Sequence, residues 1–219
     1  SLDDSRKVLH GILCSVKDNT FTAVATDGKR LALVERVPDE FSGQEGDTIV
    51  PLKSANELKR VLEKDGDVIL EFGEKQARFR TGRVEIFTKL IEGNYPNYRQ
   101  VIPAGFTKLV EIPAKDFIAK LELVSIALSD NSAFVKMSFE DNKLILMATS
   151  NNVGEGADFI NVKYEWEKVD ISFNPVFLAD PFRHSDADKI TMKMNDGFSP
   201  VAMESGDGFL YVIMPMRNR

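Results

Sequence analysis

The sequence predicts an α+β fold built from two copies of one module, each a framework of antiparallel sheets with helices on one face. Three observations lead there. Asp18-Asn19 precedes an alternating run ending Ala25-Thr26-Asp27, and Asp141-Asn142 precedes another ending Ala148-Thr149-Ser150; 141 − 18 and 148 − 25 both give 123. The same offset carries Val50-Pro51, ahead of a helical stretch, onto Phe173-Asn174, where Pro175 opens another. Beyond each helix come paired strand patterns, Val68 to Phe72 with Ala77 to Arg80, and Lys189 to Met194 with Val201 to Glu204. Each module then closes on a β-rich segment, Val84 to Lys89 or Phe209 to Met214.

Taken in order, Ile12-Leu13-Cys14 opens an apolar run, and its thiol reads as a small buried hydrophobe. Asp27-Gly28 separates the runs Phe21 to Ala25 and Leu31 to Glu35, so a tight turn joins two strands. From Pro51 to Lys64, Leu52, Ala55, Leu58, Val61 and Leu62 form a buried stripe at helical spacing. Pro103-Ala104-Gly105 marks a linker, dividing the chain into residues 1–104 and 105–219. Next, Phe117, Ile118, Leu121, Val124 and Leu128 follow the helical period over Lys115 to Leu128. A counterpart 123 residues earlier would precede Ser1, so the first copy is expected to start inside a module. Gly154-Glu155-Gly156 reads as a turn, because no third glycine opens a helix behind it. Pro181 is expected to interrupt the helical stretch from Pro175 to Asp186.

Composition narrows the function. A chain of 219 residues holds one large domain or two ordinary ones, and 43% hydrophobic with 28% charged residues is an ordinary globular balance. The formal net charge of −6 argues against a bulk polycation but leaves room for a locally basic face. One cysteine cannot form an internal disulfide, and two histidines make no zinc cluster. With neither an apolar run of membrane length nor a signal peptide, a reducing, cytoplasmic setting is expected.

Catalytic constellations are scarce. His10 and His184 have no partnered carboxylate at useful spacing, and Asp27 is accounted for by its turn. Binding surfaces are better marked. Lys53, Glu57, Arg60 and Lys64 recur at i, i+4, i+7 and i+11 on the face opposite the apolar stripe of the first helix. That face is either simply solvated or a sequence-blind contact to phosphate; no aromatic residue interleaves for base stacking. At the other end, Met214-Pro215-Met216-Arg217 places two flexible, polarizable side chains after a strand, which suits a pocket for related apolar ligands.

Together, Ala25-Thr26-Asp27-Gly28-Lys29-Arg30-Leu31-Ala32, Leu90-Ile91-Glu92-Gly93-Asn94-Tyr95-Pro96-Asn97-Tyr98-Arg99 and Met214-Pro215-Met216-Arg217 resemble the bacterial DNA polymerase III beta subunit, the family of replication sliding clamps, over essentially the whole chain. The resemblance implies a DNA-clamp fold with helices on the inner face of a ring. In that family three modules per subunit close head to tail as a homodimer around duplex DNA; this chain looks like the last two modules, the middle one lacking its first helix. A closed ring of this fragment alone is therefore not expected. Lys53, Arg60 and Lys64 would line the channel, holding duplex without reading its sequence.

The resemblance further implies a non-catalytic, cofactor-free processivity factor with a peptide-binding cleft. Its partners would be the polymerase III catalytic subunit, the clamp loader, repair polymerases and mismatch-repair proteins, each through a short peptide running from Gln to hydrophobic residues such as Phe. Cleft positions carried over by motif are Leu9, Thr26, Gly28, Lys29, Arg30, Leu31, Pro96, Val101, Val212, Met214, Pro215, Met216 and Arg217, joined by Gln100, Asn174, Phe177 and Pro200. Leu9, Leu31, Val101, Val212 and Met214 would form the floor, and Arg30, Pro96, Met216 and Arg217 the mouth. Two departures from the family pattern bear on its rim: Lys29 adds a charge, and Asn218-Arg219 follows the Met-Pro-Met-Arg signature where an apolar residue is usual. The alternative is a peptide-binding adaptor on the same fold that does not encircle DNA. A metal-dependent nuclease or transferase would require converging carboxylates.

Overall fold

A computed structural model describes residues 1, 6–63, 65–128, 134–150 and 154–217. It divides into two units, Ser1–Tyr98 and Arg99–Arg219. The division falls ahead of the turn-forming Pro103-Ala104-Gly105 because that segment is tied to the second unit. Asn195 Nδ2 donates to the Gly105 carbonyl (3.0 Å), and the Thr107 N–H donates to Asn195 Oδ1 (2.8 Å).

In the first unit, β1 (Gly11–Lys17), β2 (Thr20–Thr26), β3 (Arg30–Arg36) and β4 (Gly46–Pro51) pair antiparallel in the order β4-β1-β2-β3. Helix α1 (Leu52–Val61) follows, then a second antiparallel sheet of β5 (Ile69–Phe72), β6 (Gln76–Thr81) and β7 (Val84–Lys89). Cys14, Val50, Ala77 and Phe79 form a core joined by Ile12, Phe21, Leu58 and Ile86. Burial pushes the Cys14 thiol up to about 12, so it is an inert hydrophobe as its apolar context implied.

The second unit opens with β8 (Lys108–Pro113) and α2 (Ala114–Ser125). Strands β9 (Val135–Glu140), β10 (Lys143–Ser150), β11 (Gly154–Asn161) and β12 (Val169–Phe173) form a sheet ordered β11-β10-β9-β12. After α3 (Pro175–Arg183), strands β13 (Lys189–Met194), β14 (Val201–Glu204) and β15 (Phe209–Ile213) join β8 in the order β15-β14-β13-β8. Helix α2 lies on α3, with the Phe117 and Phe182 rings stacked at 4.0 Å between centroids.

The repeat holds strand for strand. Advancing β4-β1-β2-β3 by the 123-residue offset lands on β12-β9-β10-β11, in the same order, and advancing α1 lands on α3. The marker pairs are turns of one kind: φ is 49° and 57° at Asp18-Asn19, and 50° and 58° at Asp141-Asn142. Two successive left-handed residues give the hairpin turn that matches strand twist, and Asp and Asn tolerate it best among side-chain-bearing residues. Among the described residues of the first unit, neither β8 nor α2 has a counterpart.

Several expectations need correction. The stripe on α1 is not buried: no residue of the helix is, and Leu52 and Leu62 stand exposed. The reason lies in the asymmetry of the units, since α3 buries Leu178, Ala179 and Phe182 with α2 packed beside it, whereas no described element of the first unit plays the part of α2. Helix α1 also ends at Val61, Leu62 being extended (φ −68°, ψ 127°). The stretch beginning near Lys115 ends as α2 at Ser125, which leaves Ile126 exposed. Gly154-Glu155-Gly156 is the start of strand β11 rather than a turn. Gly156 is small because α2 crosses there: a Cβ would lie 3.0 Å from the Val124 carbonyl oxygen.

Pro181 does not break α3. Proline removes the N–H that would bond the carbonyl four residues back, that of Phe177. The Tyr211 hydroxyl donates to that carbonyl at 2.9 Å, and the helix runs on to Arg183. No helix of the described residues is long and apolar enough to cross a membrane.

Candidate peptide-binding and DNA-facing residues

In the first unit the motif residues gather around the turn between β2 and β3. Asp27 Oδ1 accepts from the N–H groups of Lys29 (2.9 Å) and Arg30 (3.1 Å), and its Oδ2 accepts from Arg30 Nε (3.0 Å). The Thr26 hydroxyl donates to the Arg30 carbonyl (2.7 Å) and accepts from the Gly28 N–H (3.1 Å). Gly28 sits at φ +85°, where a side chain is strained. Burial pushes the Asp27 carboxyl up, yet the donors from Lys29 and Arg30 outweigh it and hold the carboxyl below its ordinary range. The turn is thus a rigid mount that aims the Arg30 guanidinium and leaves Lys29 exposed.

Leu9 and Pro96 are placed by a second device. Leu9 lies in the 3-10 turn Lys7–His10, and Gly93, at φ +125°, folds the segment carrying Pro96 over it: a Cβ there would sit 2.9 Å from Val8 Cγ1. The Tyr95 hydroxyl donates to the Val24 carbonyl (3.4 Å), pinning the segment to β2 and leaving Pro96 exposed.

In the second unit the chain's last strand organises the remaining positions. Ladder β14–β15 pairs Val201 with Ile213, so Pro200 faces Met214 one step beyond. The Met216 N–H donates to the Ser172 carbonyl at 2.7 Å, laying the Met214-to-Arg217 tail along the end of β12. Two residues on, Asn174 caps α3, its side-chain oxygen accepting from the N–H groups of Val176 (2.9 Å) and Phe177 (3.3 Å). The Tyr211 bond to the Phe177 carbonyl joins α3 to β15. Asn174, Phe177, Pro200, Val212, Met214, Pro215 and Met216 are therefore brought together, with Arg217 exposed at the tail's end. Gln100 and Val101 stand exposed near the unit's start.

Exposure sorts the expected floor. Leu9 and Leu31 are 2% exposed and Val212 3%, whereas Val101 is 48% and Met214 45% exposed. The first three are sealed from solvent; Val101 and Met214 present apolar area that a ligand could cover. Sequence reasoning passes over Asp27 and Tyr211 as site-builders, since one reads as a turn residue and the other only as part of the closing β-rich segment. The signal for Asp27 was Thr-Asp-Gly followed by an arginine at i+3, a side chain able to return a bond to the carboxylate.

Of the residues expected to face DNA, Lys53 and Arg60 are exposed on α1, and Lys64 lies outside the described residues. Arg60 Nη1 is 3.2 Å from Glu57 Oε1, one turn back on the same helix. No group of three His, Cys, Asp or Glu residues that could hold a metal occurs among the described residues.

Comparison with known proteins gives the family. The central domain of the DNA polymerase III beta subunit matches residues 1–97, and the C-terminal domain of that subunit matches residues 99–217. The beta sliding clamp of Chlamydia trachomatis is 32% identical over 217 residues, spanning 99% of this chain and 52% of the relative. For that of Haemophilus influenzae the figures are 30% identity, 98% and 59%. The DNA polymerase III subunit beta of Pseudomonas aeruginosa superposes with a TM-score of 0.93 at 28% identity, over 99% of this chain and 61% of that one. The subunit from Bartonella birtlesii, bound to griselimycin, superposes at 0.89 and 32% identity, over 100% and 60%. This chain spans between half and two-thirds of the length of the relatives it matches. With both units matched in order, and the repeat, turns and tail in place, the chain belongs to the DNA polymerase III beta subunit family, the bacterial sliding clamps.

Proposed function

We propose that this chain is the partner-docking portion of a replication sliding clamp, a non-catalytic processivity factor that holds duplex DNA topologically and tethers polymerases to it. Family membership supports the role. The observation that carries the peptide reading is the tail of the second unit, where Met214 stands 45% exposed on a backbone fastened to β12 beside the capped start of α3. A flexible thioether on a rigid mount is suited to partners of similar but unequal shape. The docking residues are the thirteen carried over by motif together with Gln100, Asn174, Phe177 and Pro200, and the partners are the polymerase III catalytic subunit, clamp loader, repair polymerases and mismatch-repair proteins, through peptides running from Gln to Phe. Lys53, Arg60 and Lys64 contact phosphate, without sequence preference and more weakly as salt rises. The protein of which this chain is part closes as a homodimeric ring in the cytoplasm.

Burying a leucine and a phenylalanine is worth roughly 3–6 kcal/mol before the cost of ordering the peptide, so micromolar affinity is expected. Met214→Ala should cost about 1–3 kcal/mol of binding and leave the fold intact. Titration of a fluorescent Gln-to-Phe peptide decides: equal affinity for both proteins, or none for wild type, places the site elsewhere.

A further inference from the structure

The repeat superposes the basic face of α1 on α3 with an informative remainder. Advancing Lys53, Glu57, Arg60 and Lys64 by 123 gives Val176, Asp180, Arg183 and Ala187. Both lysines are lost, while the acid and the arginine three residues later persist. Each arginine is also met by a glutamate: Arg60 Nη1 lies 3.2 Å from Glu57 Oε1, and Arg183 Nη2 lies 2.7 Å from Glu122 Oε1 on the neighbouring α2. The pairing partner differs, one from the same helix and one from the next, yet the repeat-equivalent guanidinium is met by a carboxylate in both units. All four side chains are well exposed. Pairs of this kind are weak and solvent-screened, so a phosphate can replace the carboxylate.

We infer that Arg60 and Arg183 are repeat-equivalent phosphate contacts, each held in check by its glutamate, and that exchange of carboxylate for phosphate sets how loosely the chain holds duplex DNA. This rests on the DNA-facing role proposed above. A guanidinium binds a phosphate oxygen pair in the same forked geometry it uses for a carboxylate, so the exchange needs no change in either helix. Lys53, with no repeat equivalent, supplies attraction on α1 alone. On the α2–α3 face Lys120 is also engaged, by Asp158 at 2.7 Å, but that pair is less exposed than Arg183 with Glu122, so the arginine is the more readily released of the two.

The test is anisotropy of a labelled linear duplex at ~50 mM salt and above, with the full chain. Glu57→Gln and Glu122→Gln should each tighten binding by about 2- to 5-fold and steepen the salt slope by up to about 0.9 as one more phosphate is neutralised. The gain should vanish in the Arg60→Gln and Arg183→Gln backgrounds respectively. A gain undiminished without the arginine would show a mere net-charge effect and overturn the proposal, as would no gain at all. If wild type shows no salt-sensitive binding and Lys53→Glu changes nothing, the DNA-facing role itself fails.

Discussion

Tyr211→Phe removes one oxygen from the second unit and nothing else. That oxygen donates to the Phe177 carbonyl at 2.9 Å, the acceptor that any residue but proline at position 181 would engage through its own N–H. Losing a buried hydrogen bond costs about 1–3 kcal/mol, the upper end applying where the remaining group stays shut from water. In a unit running from Arg99 to Arg219 each kcal/mol lowers the midpoint by about 4 °C, so a fall of about 4–12 °C is expected in its thermal transition. Size alone would not identify the mechanism, but a cycle with Pro181→Ala would. Alanine restores the N–H to the helix, so Tyr211→Phe should cost about 1 kcal/mol less in the alanine background. Separate sites add to within about 0.3–0.5 kcal/mol. Equal costs in both backgrounds would refute the idea that the hydroxyl stands in for the missing amide.

That same bond shows why the sequence misled about Pro181: the compensating donor lies 34 residues from the Phe177 carbonyl it serves and on another element. What was legible was local or repeated. Asp-Asn at an identical offset marks the repeat; the structure makes both pairs left-handed turns, a backbone few other residues tolerate, and gives the two sheets one strand order. The stripe on α1 was read correctly as amphipathic, but amphipathicity states what a helix can bury and not whether a second element arrives to cover it. Gly154-Glu155-Gly156 resembled a turn because glycine serves turns; its actual reason, the close approach of α2 to Gly156, is tertiary. Within the candidate site the three motifs mark segments that the structure sets at the β2–β3 turn, at the stretch carrying Pro96 and at the tail after β15. Which members are sealed, as Leu31 is, and which stand open, as Met214 does, depends on sheet register and packing that no local motif encodes.

Two further outcomes follow from the same geometry. Gly197→Ala should destabilise the second unit by about 1–3 kcal/mol, since a Cβ there would run into the backbone oxygen of Asp170, a clash that backbone cannot relieve cheaply; an unchanged unfolding midpoint would show that the loop approaches β12 less closely. The last outcome concerns pH. The Asp27 carboxyl is pushed up by burial and drawn down further by the donors of Lys29 and Arg30, so its pKa in the folded chain lies below the value of about 3.9 of an unfolded one. A folded state that releases the proton more readily is favoured above the unfolded pKa, and that advantage is lost as pH falls through the folded pKa. Asp27→Asn should therefore be less stable than wild type near neutrality, and the difference should shrink on acidification below about pH 4. Urea unfolding of both proteins at neutral and acid pH measures it. A gap that stayed constant would mean that the charge of Asp27 contributes nothing to the turn that aims Arg30.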